Sequence, residues 1–370
     1  MPGKKLTVLL SPTHRCNLRC EYCYVDHSAS KDMSPSDFRA FYKWIFEYGQ
    51  FIGANRLELS WFGGEPLLLG QRALEEALSM QIDYFDSSKM PFVNRMQSNL
   101  VLVDERTCEL LLRWFDGTIG GSFEPCGIAR RYPNGDPATS IIERKIDYLR
   151  NQGIRVGIVS TLMRADLVSP AVFYQWFHNR VDAVRVNRAH PPPGADSNRY
   201  LDLPEYTEYV LELLNLYVND PHPECDFTNF TSVMRTILLG QTLECVSATE
   251  PEWKIAVSGG GILTSCCRKN EVVLGNVYDD SPADVVASYR SFAHPVSLVG
   301  KCRKCNFRSS NLCSGACLGE PNCDCKSSEC GYRTEYTIET LAFVRDFLQS
   351  NGIKTLNQAE KFWHNRRRPK

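Results

Sequence analysis

Three cysteines in one short segment are the residues of this chain best suited to chemistry. Cys16, Cys20 and Cys23 have the spacing C-x3-C-x2-C and directly follow a predicted first strand. Three thiolates at this spacing can bind a [4Fe–4S] cluster, which normally takes four cysteines, and one iron would then stay open for chemistry. A structural zinc site is the alternative, but such sites use a closed set of four ligands, and no fourth ligand lies nearby.

The same segment resembles the signature of radical SAM enzymes, in which an aromatic residue, here Tyr24, follows the third cysteine. The resemblance implies that the open iron binds the amino and carboxylate groups of S-adenosylmethionine, with Tyr24 in this cofactor site. It also implies that an electron from the cluster cleaves the sulfonium and releases a 5'-deoxyadenosyl radical. An external electron donor of the flavodoxin or ferredoxin type is the partner that such chemistry requires.

The elements that must position this segment are short strands that alternate with amphipathic helices. This alternation predicts parallel β/α units with ligands at the carboxyl ends of the strands. Six units are too few for a closed eight-stranded barrel, so the predicted fold class is α/β, a partial (β/α)6 TIM-like barrel. The predicted strands cover residues 7–11, 56–61, 92–98, 117–123, 154–161 and 183–187. The predicted helices cover residues 36–48, 72–87, 104–114, 139–152, 170–179, 204–218, 230–239 and 336–347. Ser34 and Asp104 supply capping oxygens at the starts of the first and third of these helices.

Short polar motifs follow the second and third predicted strands. Gly63, Gly64 and Glu65 resemble the GGE motif of the family, which implies that they hold the amino group of S-adenosylmethionine. The glycines would let the backbone approach a ligand closely. Ser98 and Asn99 end the third strand, where the family often carries a pair that reaches the ribose. An ordinary turn is the alternative for both motifs, because short polar residues and glycines also favour turns.

The fourth predicted strand ends with residues that resemble a carboxylate-binding motif. Ser122 matches the serine that relatives direct toward the carboxylate of S-adenosylmethionine. Arg130 or Arg131 follows where relatives place an arginine, and we assign Arg131 to the cofactor site, since a guanidinium can pair bidentately with a carboxylate. A solvated surface pair is the alternative for these arginines.

Three further residues at the predicted catalytic face are candidates for acid–base or hydrogen-atom chemistry. Glu124 replaces the Asp that relatives carry after the serine of the fourth strand. Cys126 follows the same strand and could donate a hydrogen atom, with simple packing as the alternative. His190, at the end of the sixth strand, could act as a base or lie in the loop without a chemical role.

The C-terminal part, from Cys245 on, is predicted to be loop-rich and carries a second set of cysteines. Their order resembles the SPASM extension of radical SAM enzymes. The resemblance implies two auxiliary [4Fe–4S] clusters, and so three clusters in all. The fourth ligand of the inner cluster is either Cys225 or absent, and a pair of zinc ribbons is the alternative. Cys323 or Cys325 could replace Cys330, which we favour on spacing. The implied ligands are Cys302, Cys305, Cys313 and Cys330 for the outer cluster and Cys245, Cys266 and Cys317 for the inner one.

Composition and charge set the domain organisation and exclude several classes of function. The net charge of −1 gives no basis for nucleic-acid or membrane binding, and no stretch reaches spanning length, so a cytoplasmic protein is expected. Sixteen cysteines in such a protein favour metal sites over disulfides. The predicted divisions are a radical SAM barrel at 1–190, a helical connector at 191–240, a SPASM domain at 241–347 and a polar basic tail at 348–370.

The resemblance covers nearly the whole chain and implies an enzyme that modifies a ribosomally made precursor peptide. The product it favours is a crosslink, either a cyclophane carbon–carbon bond, a thioether or an ether. Cys267 stands where sulfatase-maturing relatives carry an Asp, which argues against that branch of the family. The alternatives are a radical SAM/SPASM dehydrogenase or epimerase that acts on a sugar or antibiotic precursor, and a non-enzymatic metal-binding scaffold.

Overall fold

The computed structural model describes residues 5–25, 27, 31–85, 89–191, 195–239, 253–265, 272–297 and 338–367. Within these ranges the strands form one sheet of ten, in the order β10-β9-β8-β1-β2-β3-β4-β5-β6-β7. Every pair of neighbouring strands from β8 through β1 to β7 is parallel. The pairs β8–β9 and β9–β10 are antiparallel. The strands are β1 Lys5–Ser11, β2 Arg56–Trp61, β3 Phe92–Ser98, β4 Thr118–Ser122, β5 Arg155–Leu162, β6 Ala183–Arg188, β7 Asp226–Phe227, β8 Lys254–Ser258, β9 Ile262–Thr264 and β10 Val273–Asn276.

The α/β fold class and the partial barrel are confirmed, and the six predicted strands are all present. Two further parallel strands extend the barrel beyond that prediction. The two-residue β7 is too short to give a periodic pattern, and β8 lies in the part of the sequence that we interpreted as loop-rich. The helices are α1 Pro35–Phe51, α2 Gln71–Tyr84, α3 Glu105–Trp114, α4 Thr139–Asn151, α5 Pro170–Phe177, α6 Leu203–Asn219, α7 Thr228–Leu239, α8 Pro282–Ser297, α9 Ile338–Ser350 and α10 Leu356–Arg367.

Alternation along the strands separates a hydrophobic core from a concave inner surface. In β1, Leu6, Val8 and Leu10 are fully buried and belong to the core that packs against the helices. Successive strand residues point to opposite faces, so the residues between them face the inside of the barrel. These inner residues are half-buried and mostly polar: Thr7, Leu9, Glu58, Ser60, Arg95, Gln97, Ser122, Thr161 and Asn187. The sheet thus offers a polar concave surface.

Two predicted helix starts are confirmed by side-chain caps. The Ser34 hydroxyl accepts a hydrogen bond from the Asp37 amide, and the Asp37 carboxylate accepts one from the Ser34 amide, which completes a capping box at α1. Asp104 forms the equivalent box with Thr107 at α3. The Ser34 cap fixes where α1 begins, and therefore where the cysteine segment that follows β1 ends.

The C-terminal segment differs from the polar tail that its composition suggested. Residues 356–367 form α10, and its Trp363 is buried with its ring stacked 4.7 Å from that of Tyr217 on α6. Polar residues dominate this helix, which is why its few apolar positions gave no clear period. None of the helices within the described ranges combines the length and apolar composition of a membrane span.

Candidate active site at the end of the first strand

The three loop cysteines lie between β1 and α1, at the carboxyl end of the first strand. A turn joins two of them, because the Cys23 amide donates to the Cys20 carbonyl at 3.0 Å. The loop backbone is held from the other side of the site by the segment after β4. There the Arg19 amide donates to the Arg131 carbonyl at 2.6 Å and the Glu21 amide to the Ala129 carbonyl at 3.1 Å. The loop is therefore fixed by the barrel.

The thiols of these cysteines face a common site. Burial raises the pKa of Cys16, Cys20 and Cys23. The negative charge of another of the three thiols raises each of these pKa values further. Among the described residues, no three His, Cys, Asp or Glu side chains are arranged to bind a single metal ion. In a [4Fe–4S] cube each thiolate binds a different iron, so the sulfurs need not converge on one point. The donor set, three partly buried thiols, fits such a cluster.

Each of the three sulfurs has its own polar neighbour. The Asn99 amide nitrogen lies 3.6 Å from the Cys16 sulfur, and the Arg130 guanidinium lies 4.0 Å from the Cys20 sulfur. His27, which the sequence analysis did not identify, places Nε2 at 3.6 Å from the Cys23 sulfur. Its Nδ1 lies 3.0 Å from the His14 carbonyl oxygen, which can only accept. That bond makes Nδ1 the donor and directs Nε2 to the sulfur.

Gly63 and Gly64 allow the loop after β2 to pack directly on the cysteine loop. The Gly64 amide donates to the Thr13 carbonyl at 3.0 Å. A Cβ atom at Gly63 would clash with the Thr13 carbonyl oxygen, and one at Gly64 would clash with the Arg15 carbonyl oxygen. The close approach that these glycines permit in the structure is thus between two loops of the protein.

The Glu65 carboxylate is fully buried and is surrounded by donors from the protein. One oxygen accepts from the Leu67 amide at 3.1 Å and the Ser98 hydroxyl at 2.9 Å, and the other accepts from the Asn99 amide at 2.7 Å. Burial raises the pKa of Glu65 to about 7, although these bonds oppose the rise. Glu65 therefore joins the ends of β2 and β3, and its predicted contact with the cofactor ammonium would use the remaining lone pair.

Asn99 connects this carboxylate to the cysteine loop. Its side-chain nitrogen donates to the Asn17 side-chain oxygen at 2.7 Å as well as reaching the Cys16 sulfur. Its side-chain oxygen accepts from the Val101 amide at 3.0 Å. The predicted pair Ser98 and Asn99 thus lies at the site, where both side chains already make contacts within the protein.

Glu124 lies beside the cysteine loop but is bound in an ion pair. Its carboxylate is buried and receives Arg130 Nε at 2.7 Å and Nη2 at 2.9 Å, in a bidentate arrangement. The Thr161 amide donates to it at 2.7 Å and the Tyr22 hydroxyl at 3.3 Å. Burial raises the pKa of Glu124, and the positive charge of Arg130 opposes that rise. With these donors, the predicted acid–base role of Glu124 would first require the ion pair to open.

The remaining candidates line the same face in different environments. Arg131 pairs with Glu21 of the cysteine loop at 3.2 Å. Ser122 accepts from the Gln97 side chain at 3.0 Å on the inner surface. The other three are Tyr24, which is exposed; Cys126, an exposed thiol in a turn with φ of 59°; and His190, half-buried after β6.

Cys126 is exposed, so packing in the core, the alternative interpretation of this residue, does not apply. Cys225, one option for the inner auxiliary cluster, is buried in the hydrophobic core next to β7. All other predicted auxiliary ligands lie outside the described residues, namely Cys245, Cys266, Cys302, Cys305, Cys313, Cys317 and Cys330, together with Cys267, Cys323 and Cys325.

Similarity to known proteins agrees with this site. The sequence profile of the Radical SAM superfamily matches residues 10–166, which include the cysteine loop. A serine-type anaerobic sulfatase-maturating enzyme from Klebsiella pneumoniae is 33% identical over 93% of this chain and 89% of its own length. The chain belongs to the radical SAM superfamily. It is therefore a radical SAM enzyme, one that generates a 5'-deoxyadenosyl radical.

Other relatives of this radical SAM enzyme support the same fold. A serine-type anaerobic sulfatase-maturating enzyme from Bacteroides thetaiotaomicron is 22% identical over 85% of this chain and 83% of its own. The structure of anSMEcpe with bound AdoMet has a TM-score of 0.73 at 19% identity, covering 95% of this chain and 99% of that one. Streptococcus suis SuiB bound to the precursor peptide SuiA has a TM-score of 0.59 at 13% identity, covering 85% and 72%.

Proposed function

We propose that this radical SAM enzyme is a peptide maturase that forms a crosslink in a ribosomally made precursor. The observation that carries the proposal is the placement of three thiols at the mouth of a barrel whose sheet is not closed. Within the described residues the sheet ends at β7 on one side and at β10 on the other. An extended peptide could enter such an opening and take affinity from backbone hydrogen bonds.

The loop cysteines would hold the cluster, and their neighbours would fix its surroundings. When bound, the cluster and S-adenosylmethionine supply the radical that removes a hydrogen atom from an unactivated carbon of the peptide. Asn99, His27 and Arg130 hold polar groups against the three sulfurs. Because the site lies half-buried under the loop after β2, water is partly excluded from it.

The cofactor site extends from the cysteine loop along the strand ends toward β4. Ser122 lies on the inner surface, where a hydroxyl can reach a carboxylate group. Cys126 is exposed at the end of the same strand and is the candidate for exchanging a hydrogen atom or proton with substrate. His190 is the second candidate, at the end of β6. The proposed cofactor residues are Tyr24, Gly63, Gly64, Glu65, Ser98, Asn99, Ser122 and Arg131.

A peptide substrate is supported by the character of the inner surface and by the relatives. The half-buried inner residues supply hydroxyl, amide and charged groups, which suit the polar backbone of an extended peptide better than an apolar ligand. Two proteins of this fold are known with peptides bound, anSMEcpe with the peptide Cp18Cys and SuiB with SuiA. The auxiliary clusters of a SPASM domain would wall one side of this cleft and could accept the electron lost when the new bond closes.

Turnover separates this proposal from a small-molecule enzyme. The anaerobically reconstituted enzyme is given S-adenosylmethionine, dithionite and either a co-encoded precursor peptide or free sugars and amino acids. The peptide is expected to lose two hydrogens in the mass spectrum, with one 5'-deoxyadenosine formed for each modification. Product from the small molecules alone would favour the dehydrogenase or epimerase alternative, and absence of reductive cofactor cleavage would favour a metal-binding scaffold.

Sulfatase maturation is a second candidate, favoured by the 33% identity to the Klebsiella pneumoniae enzyme. Cys267, in place of the Asp of such enzymes, argues against it. A sulfatase-derived peptide with a serine or cysteine at the modified position separates the two. Its conversion to an aldehyde product would favour maturation of sulfatases over crosslinking.

A further inference from the structure

The buried ion pair of Glu124 and Arg130 lies beside the Cys20 sulfur, and the proposed function does not explain why this neighbour of the sulfur carries a full charge. Arg130 is 8% exposed and Glu124 is 2% exposed. A buried ion pair adds little stability compared with well-packed apolar residues of the same size. Stability alone therefore gives no reason for a full positive charge at this position.

The backbone sets the register that brings Arg130 to Cys20. The amide of Arg19 donates to the carbonyl of Arg131 and the amide of Glu21 to that of Ala129, so one bond lies on each side of the two central residues. Those central residues are Cys20 and Arg130. Their side chains leave this short paired segment together, and Arg130 Nη1 lies 4.0 Å from the Cys20 sulfur.

Glu124 and Tyr22 hold the guanidinium in that orientation. Two of its nitrogens are bound by the Glu124 carboxylate, which leaves Nη1 directed to the sulfur. The Tyr22 ring packs against the guanidinium, with its centroid 5.4 Å from Cζ, and its hydroxyl donates to Glu124. The charge of Arg130 is thus fixed in place by contacts on three sides.

We propose that Arg130 is a positioning residue that holds a positive charge against Cys20 and raises the reduction potential of the cluster, with Glu124 fixing its orientation. This inference rests on the proposed cluster at Cys16, Cys20 and Cys23. Reduction adds a negative charge to the cluster, and a nearby cation or hydrogen bond to a ligand sulfur stabilises the reduced state. The fixed charge therefore makes the cluster easier to reduce by an external donor.

The test is an EPR-monitored redox titration of the reconstituted full chain without S-adenosylmethionine, so that cofactor binding cannot contribute. The signal of this cluster is the one that disappears when all three loop cysteines are changed to Ala. Arg130→Gln removes the charge and is expected to lower the reduction equilibrium constant at least tenfold, about 59 mV for a one-electron couple. Arg130→Lys keeps the charge and should retain most of the wild-type potential.

Two further variants test the direction of the shift in reduction potential and its dependence on Arg130. Glu124→Gln removes the neighbouring negative charge and should shift the potential upward. Arg199→Gln is the control, because Arg199 also pairs with the cysteine loop, through Glu21, but its side chain is 54% exposed. It should leave the potential unchanged.

The double variant Glu124→Gln/Arg130→Gln covers the case in which Arg130→Gln fails to fold because Glu124 is left unpaired. Its potential should lie below that of Glu124→Gln alone. Equal potentials in that comparison, or an unchanged potential in Arg130→Gln at full iron content, would overturn the inference. If wild-type protein lacks the signal that depends on the loop cysteines, the proposed cluster site itself is wrong.

Discussion

Glu65 is expected to make the stability of the protein depend on pH in a way that a single substitution removes. Burial raises the pKa of this carboxyl from 4.5 to about 7 in the folded protein. A pKa difference of about 2.5, at about 1.4 kcal/mol for each pH unit, corresponds to about 3 kcal/mol. Since the folded pKa is the higher one, this contribution is present below about pH 4.5 and is lost as the pH rises through about 7.

Glu65→Gln keeps the shape of the side chain and cannot titrate. The free energy of unfolding of wild type, minus that of the variant, should therefore fall by about 3 kcal/mol between about pH 4.5 and pH 8. The measurement is guanidinium unfolding of the metal-free protein at several pH values, followed by circular dichroism. Taking the difference between the two proteins cancels the other titrating groups.

Glu58→Gln is the matched control, because it removes a half-buried carboxylate from β2, the strand that precedes Glu65, where Glu58 pairs with Lys5 at 3.0 Å. This variant measures the effect of removing one carboxylate from this part of the sheet. If the Glu65→Gln difference is constant across this range, the carboxylate is not held in the dry, donor-lined position described here.

Further predictions concern the loop, its packing and the C-terminal helix. Changing the three loop cysteines to Ala should abolish 5'-deoxyadenosine formation and reduce the iron content from about twelve to about eight, because two of the three proposed cubes would remain. Gly64→Ala should lower cluster occupancy and cost about 1–3 kcal/mol, because the new methyl clashes with the Arg15 carbonyl, whereas Gly157→Ala has room. Trp363→Ala should cost about 3–5 kcal/mol in chemical unfolding, since its ring stacks on Tyr217 inside the core.

The fold and the location of the site could be predicted because they depend on local patterns. Strand alternation and capping residues such as Ser34 and Asp104 gave the parallel units and the helix starts. The cysteine spacing identified the loop, since three thiols within eight residues after a strand are typical of a metal-cluster site. The strand β7 could not be predicted, because two residues are too few to show a periodic pattern.

The roles of individual polar residues could not be predicted, because they depend on contacts between distant segments. Two of the three donors to Glu65 lie on β3 and in the loop after it, and Glu124 accepts from the Thr161 amide as well as from Arg130. Neither pairing has a signature in the local sequence. The contact of His27 with Cys23 is closer along the chain, and a histidine four residues after a ligand cysteine was a signal that could have been used.

Transfer of a hydrogen atom from a peptide to the cofactor is the step that most directly tests the proposed function. A co-encoded precursor peptide, deuterated at carbon, is incubated with the reconstituted enzyme, S-adenosylmethionine and dithionite, and the 5'-deoxyadenosine is analysed by mass spectrometry. We predict deuterium in the 5'-deoxyadenosine and a peptide that has lost two hydrogen isotopes. One is the deuterium transferred to the cofactor, and the other is a deuterium for a carbon–carbon bond or a hydrogen for a thioether or ether. Unlabelled 5'-deoxyadenosine with an unchanged peptide, while a small-molecule substrate is converted, would contradict it.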